Sequence, residues 1–250
     1  MIDLRNEGGI AVITLRHGKA SALDIELCEA LAARFDALLS AEAHAIVITG
    51  NGGIFSAGVD LLQLSAGGAD YVRKFMPALD RAFNAVFFHP KPVVAAINGH
   101  AAAGGCVLAC CADHRVMARG KGRIGVTELL VGVPFPPLAF EIMRFAVPEC
   151  ELPTLLFGGA TYDTEAALQR GLIDEATDVE ALLPQAIAAA QKLAALSPPA
   201  FAMTKMQLRQ GAAARLAHAA ETEKVATDIW AAPDTIGRVR DYVARTLKKA

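Results

Sequence analysis

The sequence predicts an α/β fold in which short strands feed through glycine turns into helices, followed by an all-helical C-terminal region. Three observations carry this. The unit strand, glycine turn, helix, strand recurs through the first half of the chain. The runs Ile10–Leu15, Ala45–Thr49 and Val93–Ile97 are short, apolar and rich in β-branched residues, as buried strands are. Past about residue 195 only helical spacing remains. A division into a core over residues 1–195, carrying the site, and a helical region over 196–250 follows. Hydrophobic residues make up 54% of the chain and alanine dominates, so a large, helix-rich core is affordable.

Each element has a local cause. The turn Glu7-Gly8-Gly9 launches the first strand, Ile10–Leu15. The loop His17–Asp24 ends at a helix N-cap, Ser21 or Asp24, and Leu27, Leu31, Phe35 and Leu38 set a helix to Leu39. The strand Ala45–Thr49 stops at Gly50-Asn51-Gly52-Gly53. Asp60 caps a short helix from about Leu61, and Gly67-Gly68 breaks it. Val72, Phe75, Leu79 and Phe83 space a second helix, 70–88, which His89-Pro90-Lys91-Pro92 ends. The strand Val93–Ile97 follows, then Asn98-Gly99, small residues to Gly105, and a helical run from Cys106 to about Ala112. Further helices are expected over 138–145, 153–157, 164–169, 179–196, 199–209, 212–230 and 234–247.

The stretch Pro92–Glu128 is the one on which function turns. A strand that passes through glycines into a helix leaves backbone N–H groups unpaired at the first turn, where they suit an anion or a developing oxyanion. Glu128, an acid among mostly apolar neighbours in IGVTELLVG, closes the stretch. Unpaired donors beside a lone carboxylate point to proton transfer next to a polarised carbonyl.

Composition excludes other classes. A formal charge of −2 leaves no electrostatic footprint for nucleic acid or an anionic membrane. No apolar stretch reaches a membrane span, and MIDLRNEGG lacks the basic flank and apolar run of a secretory signal, so a cytoplasmic protein is expected. The five cysteines, Cys28, Cys106, Cys110, Cys111 and Cys150, sit in apolar patterns without zinc-ligand spacing and read as buried thiols; no metal site is expected. No serine or cysteine sits in a convincing nucleophile elbow.

Three stretches together resemble the crotonase superfamily (enoyl-CoA hydratase/isomerase): FSAGVDL (55–61), INGHAAAGGC (97–106) and IGVTELLVG (124–132). ALQRGLIDE (167–175) and LSPPAFAMTK (196–205) look like the family's later landmarks, and the likeness runs through nearly the whole chain. The resemblance implies a ClpP/crotonase-like spiral of ββα units with a helical C-terminal region, assembled as trimers or dimers of trimers. It implies an acyl-CoA thioester substrate, no cofactor, and an enolate held by two backbone N–H groups. By motif position these belong to Val59 and Gly104. Ala20, Ala22, Leu23, Ala57, Asp60, Leu61 and Gly105 would line the CoA groove. Where many relatives carry a lysine after the Asp-Leu pair, this chain has Leu62, so Lys19 and Lys205 become the candidates for the CoA phosphates.

One departure selects the chemistry. Hydratases of the family use two glutamates; the first would fall at Val107, and only the second, Glu128, is present. A single glutamate suffices to take a proton from C2 of a 3-enoyl thioester and return it at C4. The AGGC, HRVMA and IG..E pattern also resembles the Δ3,Δ2-enoyl-CoA isomerase branch. Glu128 is therefore the expected acid/base of an isomerase, its pKa raised by Leu129, Leu130, Val131, Phe135 and Pro136. The alternatives are a hydratase or lyase with a second group, and a non-catalytic acyl-CoA-binding protein. His100 is a possible accessory residue, although a loop histidine that hydrogen-bonds locally is the preferred reading. Glu141 reads as a structural ion pair, and Asp113-His114-Arg115 as a solvated turn.

Overall fold

The computed structural model describes residues 1–246. The chain opens with a hairpin, β1 (Ile2–Glu7) and β2 (Ile10–Leu15), and the helix α1 (Ile25–Leu39). Three units then repeat one plan: β3 (Ala45–Thr49), β4 (Ile54–Ser56) and α2 (Leu61–Phe87); β5 (Val93–Ile97), β6 (His100–Ala102) and α3 (Gly104–Cys110); β7 (His114–Ala118), β8 (Ile124–Gly125) and α4 (Glu128–Val131). Next come α5 (Pro137–Ala146), α6 (Leu152–Gly158), α7 (Thr164–Gln169), β9 (Glu175–Thr177) and α8 (Leu182–Ala194). The helices α9 (Pro198–Leu216), α10 (Ala220–Ala231) and α11 (Pro233–Thr246) end the described chain.

In each unit the first strand joins a six-stranded sheet of order β1-β2-β3-β5-β7-β9, parallel except for the β1–β2 hairpin. The second strand joins a small parallel sheet, β4-β6-β8. The central strands of the large sheet are buried on both faces, which is why they read as unbroken apolar runs. Alternation sorts their side chains. Ile46, Ile48, Val93, Ala95 and Ile97 face the main core with α1, α2 and α3. Val12, Ala45, Val47, Val94, Ala96 and Val116 face Leu182, Ala186 and Ala190 of α8. This succession of strand, strand and helix is the spiral of ββα units that the resemblance implies.

Several elements differ from expectation for identifiable reasons. β1 was not legible because Asp3, Arg5 and Glu7 alternate on an edge strand, and its pairing to β2 supplies what its own sequence does not. The Asp113-His114-Arg115 run is no solvated turn: His114 and Arg115 begin β7, and Asp113 is taken up by Lys205 and Arg209. The break expected near Gln210-Gly211 falls at 217–219, because α9 continues through Gly211 and packs on α5. At Gly68, φ 62° and ψ −151° kink α2 where a full break was expected. Cys28, Cys106, Cys110 and Cys111 are buried, but Cys150 is exposed. The last helix is described to Thr246; Leu247 lies outside the described residues. No helix among these residues is long and apolar enough to cross a membrane.

Candidate active site

The small sheet builds the site. Its three parallel strands end side by side, and each carboxyl end delivers one part: β4 leads into Ala57-Gly58-Val59, β6 into Ala103-Gly104, and β8 into Val126-Thr127-Glu128. The join between the last two is direct, since Ala103 N–H donates to the Gly125 carbonyl at 2.8 Å.

The direction of each N–H follows from its own peptide plane, because N–H and C=O of a trans peptide point opposite ways. The Gly58 carbonyl accepts from Leu23 N–H at 2.7 Å, so the Val59 N–H in the same peptide points away from Leu23. The Ala103 carbonyl accepts from Cys106 and Val107 N–H at 2.8 and 3.1 Å, so the Gly104 N–H projects off the start of α3. Neither N–H donates to a protein acceptor among the described residues. The two segments touch: a Cβ on Gly58 would lie 3.0 Å from the Gly104 nitrogen and 2.5 Å from the Ala102 carbonyl oxygen. Gly58 also has φ 82°, so a side chain is excluded twice. Ala103, just before Gly104, holds φ 49° without being glycine, and such strain persists only where the surroundings over-determine it.

Glu128 is 8% exposed, and its Oε2 has no hydrogen-bond partner among the described residues. Burial pushes its carboxyl up to about 7, against a smaller opposing pull from the N–H groups of Glu128 and Thr127. Of the apolar neighbours expected to bury it, Val131 is buried and Phe135 partly so, whereas Leu129 and Leu130 are exposed. α10 helps to hold the following loop, as Trp230 Nε1 donates to the Pro134 carbonyl at 2.8 Å.

The other expected residues are placed as follows. Val107 is fully buried in the main core, so no carboxylate occupies the position of the family's first glutamate. Glu141 is buried and held by Arg215 at 2.7 Å and Arg144 at 3.6 Å, an ion pair and not a second base. The exposed His100 donates its backbone N–H to the Gly53 carbonyl, and its ring has no hydrogen bond to the described residues.

The 20–23 loop runs beside 57–60, joined by Ala57 N–H to Ala20 O, Leu23 N–H to Gly58 O and Asp60 N–H to Leu23 O. Leu23 reaches the Gly104 position, and Gly105 is buried against Ser56. Leu61 opens α2, whose N-cap Asp60 accepts from Gln63 N–H. Lys19 is exposed on the same loop. Lys205 is not available for phosphate: it is 6% exposed, its Nζ lies 2.6 Å from Asp113 Oδ2, and it borders a concavity of about 360 Å³ by α8 and α9.

His17, Asp24 and Glu26 bring ligand atoms within 4.8 Å of one another. Asp24, however, is spent as the α1 N-cap, taking Leu27 N–H, Gln63 Nε2 and His17 Nε2.

The family model for enoyl-CoA hydratase/isomerase matches residues 5–233. The chain belongs to this family. Mouse mitochondrial enoyl-CoA delta isomerase 1 is 26% identical over 219 residues, covering 86% of this chain and 76% of that protein. The structure of human mitochondrial delta3-delta2-enoyl-CoA isomerase superposes with a TM-score of 0.94 over 99% of this chain and 98% of that one; at 21% identity this bears on the fold. The probable enoyl-CoA hydratase EchA3 of Mycobacterium tuberculosis matches with a TM-score of 0.80 and 30% identity over 100% and 99% of the two chains. Isomerases and hydratases thus share this crotonase scaffold, and membership alone does not choose between them. Ser56, within the FSAGVDL stretch, is given no role by the family motifs, and without a positioned histidine it does not read as a nucleophile.

Proposed function

We propose that this chain is a Δ3,Δ2-enoyl-CoA isomerase with Glu128 as its single acid/base. The observation that carries the reading is a buried carboxyl, one oxygen of it without a partner among the described residues, following β8 in the same small sheet whose strands β4 and β6 lead to two backbone donors without a protein acceptor among those residues, with Val107 in place of a second acid. The thioester oxygen accepts from Val59 and Gly104 N–H. Glu128, as carboxylate, takes the C2 proton; the C–H electrons form the dienolate, whose negative charge rests on that oxygen. The same carboxyl returns the proton at C4, leaving the double bond between C2 and C3. No water and no cofactor enter this proton shift. Removing one oxyanion donor typically costs about 3–4 kcal/mol of barrier, so the hole is worth as much as the base.

Ala20, Ala22, Leu23, Ala57, Asp60, Leu61 and Gly105 are proposed to line the groove for the CoA arm, with Lys19 nearest for its phosphates. A homotrimer or dimer of trimers is proposed from the apolar surface left open on one chain: Phe157 is 76% exposed, with Leu129, Leu130, Met203, Met206 and Leu208. Light scattering after size exclusion tests it; a monomer refutes it.

The test of the reaction offers purified protein a 3-enoyl-CoA and, separately, a 2-enoyl-CoA. Formation of the conjugated thioester without hydration is the expected result. Hydration of the 2-enoyl-CoA refutes the single-acid mechanism in favour of a hydratase. Binding without either reaction, and without exchange of the α-proton, makes the chain an acyl-CoA-binding protein.

A further inference from the structure

Ser56 is a buried polar side chain in contact with the segments of the proposed oxyanion hole, and neither the family motifs nor the proton shift above gives it a role. It is completely buried at the end of β4. Its Oγ donates to the Ser21 carbonyl at 2.7 Å and accepts from Gly58 N–H at 3.2 Å. A Cβ on Gly105 would lie 3.0 Å from Ser56 Cβ and would overlap the Ser56 carbonyl oxygen, so the same residue also abuts the segment carrying Gly104. Ser21 stands at φ 43°, one of two non-glycine residues with positive φ among the described residues, the other being Ala103 beside Gly104.

These contacts define a mechanical chain. The 20–23 loop fixes the Gly58 carbonyl through Leu23 N–H, and the Gly58 carbonyl fixes the direction of Val59 N–H. The loop itself is held in an unfavourable conformation at Ser21, and the Ser56 hydroxyl is what grips its carbonyl. The hydroxyl's other bond satisfies Gly58 N–H, in the peptide next to the one that carries the donor. Without Oγ, Gly58 N–H loses its acceptor and Ser21 C=O its donor, both in a water-poor position.

We infer that Ser56 is a positioning residue: its hydroxyl ties the 20–23 loop to Gly58 and thereby aims the Val59 N–H at the thioester oxygen. The inference rests on the acyl-CoA reading above. It does not touch substrate and takes no part in proton transfer. A displacement of about 1 Å in a catalytic group costs on the order of 100-fold in rate, which sets the scale.

The experiment compares wild type, Ser56→Ala and Ser56→Cys on a 3-enoyl-CoA, and measures affinity for an S-alkyl-CoA thioether, which has the CoA arm and chain but no carbonyl oxygen. Ser56→Ala is expected to lower kcat by about 10- to 100-fold. The thioether Kd should rise by a clearly smaller factor than kcat falls, because the 20–23 loop borders the CoA groove but that ligand makes no use of an oxyanion donor. Ser56→Cys, with a weaker donor, should fall between. Unchanged kcat in Ser56→Ala overturns the inference, as does a loss of thioether affinity in step with kcat, which marks general damage to the groove. A Ser56→Ala protein that does not fold leaves the decision to Ser56→Cys, where wild-type kcat overturns the inference and a drop in kcat alone supports it. Wild type that turns over no 3-enoyl-CoA and exchanges no α-proton removes the acyl-CoA reading itself, a different outcome from an active wild type with an indifferent Ser56→Ala.

Discussion

Two acids, the part-buried Asp113 just before β7 and the buried Glu128 just after β8, are treated in opposite ways. Asp113 is saturated: Lys205 Nζ lies at 2.6 Å, Arg209 Nη2 at 2.7 Å, and Val93 N–H donates at 2.8 Å. Arg209 is itself stacked over Phe87 and Phe145, so the cluster ties α9 to the main core. Among the described residues Glu128 has no paired cation, and one of its oxygens has no partner. Compensated charge in a protein interior holds parts together; an uncompensated carboxyl near neutrality moves protons. Glu141, paired with two arginines, belongs with Asp113.

The largest expected effect breaks the comparison on the Glu128 side. Glu128→Gln is isosteric and should lower turnover by at least about 10³-fold while leaving acyl-CoA binding within a few-fold, as steady-state kinetics and calorimetry would read. The carboxylate is the form that abstracts the proton, so kcat/KM of wild type should rise with pH and level off above about 7. Next, Asp113→Ala strands two buried cations and should cost about 3–5 kcal/mol in chemical denaturation.

A smaller effect sharpens the contrast. The Glu128 carboxyl goes from 4.5 unfolded to about 7 folded, so the folded state holds its proton more tightly. Its contribution to stability is full below pH 4.5 and is lost as pH rises through about 7, on the order of 3 kcal/mol in all. Glu128→Gln should therefore be more stable than wild type at pH 8 and equal to it at pH 4, measured by melting temperature. The smallest effect belongs to Glu141→Gln, whose arginine partners are half exposed: about 1 kcal/mol of stability, with the pH–rate profile unmoved. A shifted profile would make Glu141 part of the site.

Much of this was legible in the residues, and what was not has physical causes. Glycine turns and short, unbroken apolar strands announced the large sheet, and a lone acid in an apolar run announced Glu128. The small sheet was silent because its strands are two or three residues long, too short for any periodicity. It is nonetheless the part that brings the candidate site together. Lys205 misled for a related reason. A lysine in a helical pattern carries no mark of the part-buried aspartate, 92 residues away in sequence, that claims it. Ser56 was silent because its role lies in bonds to two other main-chain groups, which no local pattern reveals.

Donors supplied by the main chain have a consequence for how such a chain changes over generations. Amino-acid replacement cannot delete an N–H except by proline, so the proposed hole at Val59 and Gly104 survives wide drift in its side chains, provided Gly58 and Gly105 stay small. The acid has no such insurance, since one codon adds or removes it. Lineages on this scaffold would then inherit the means to stabilise an enolate and diversify in what they do with it, through single replacements at positions such as Val107 and Glu128.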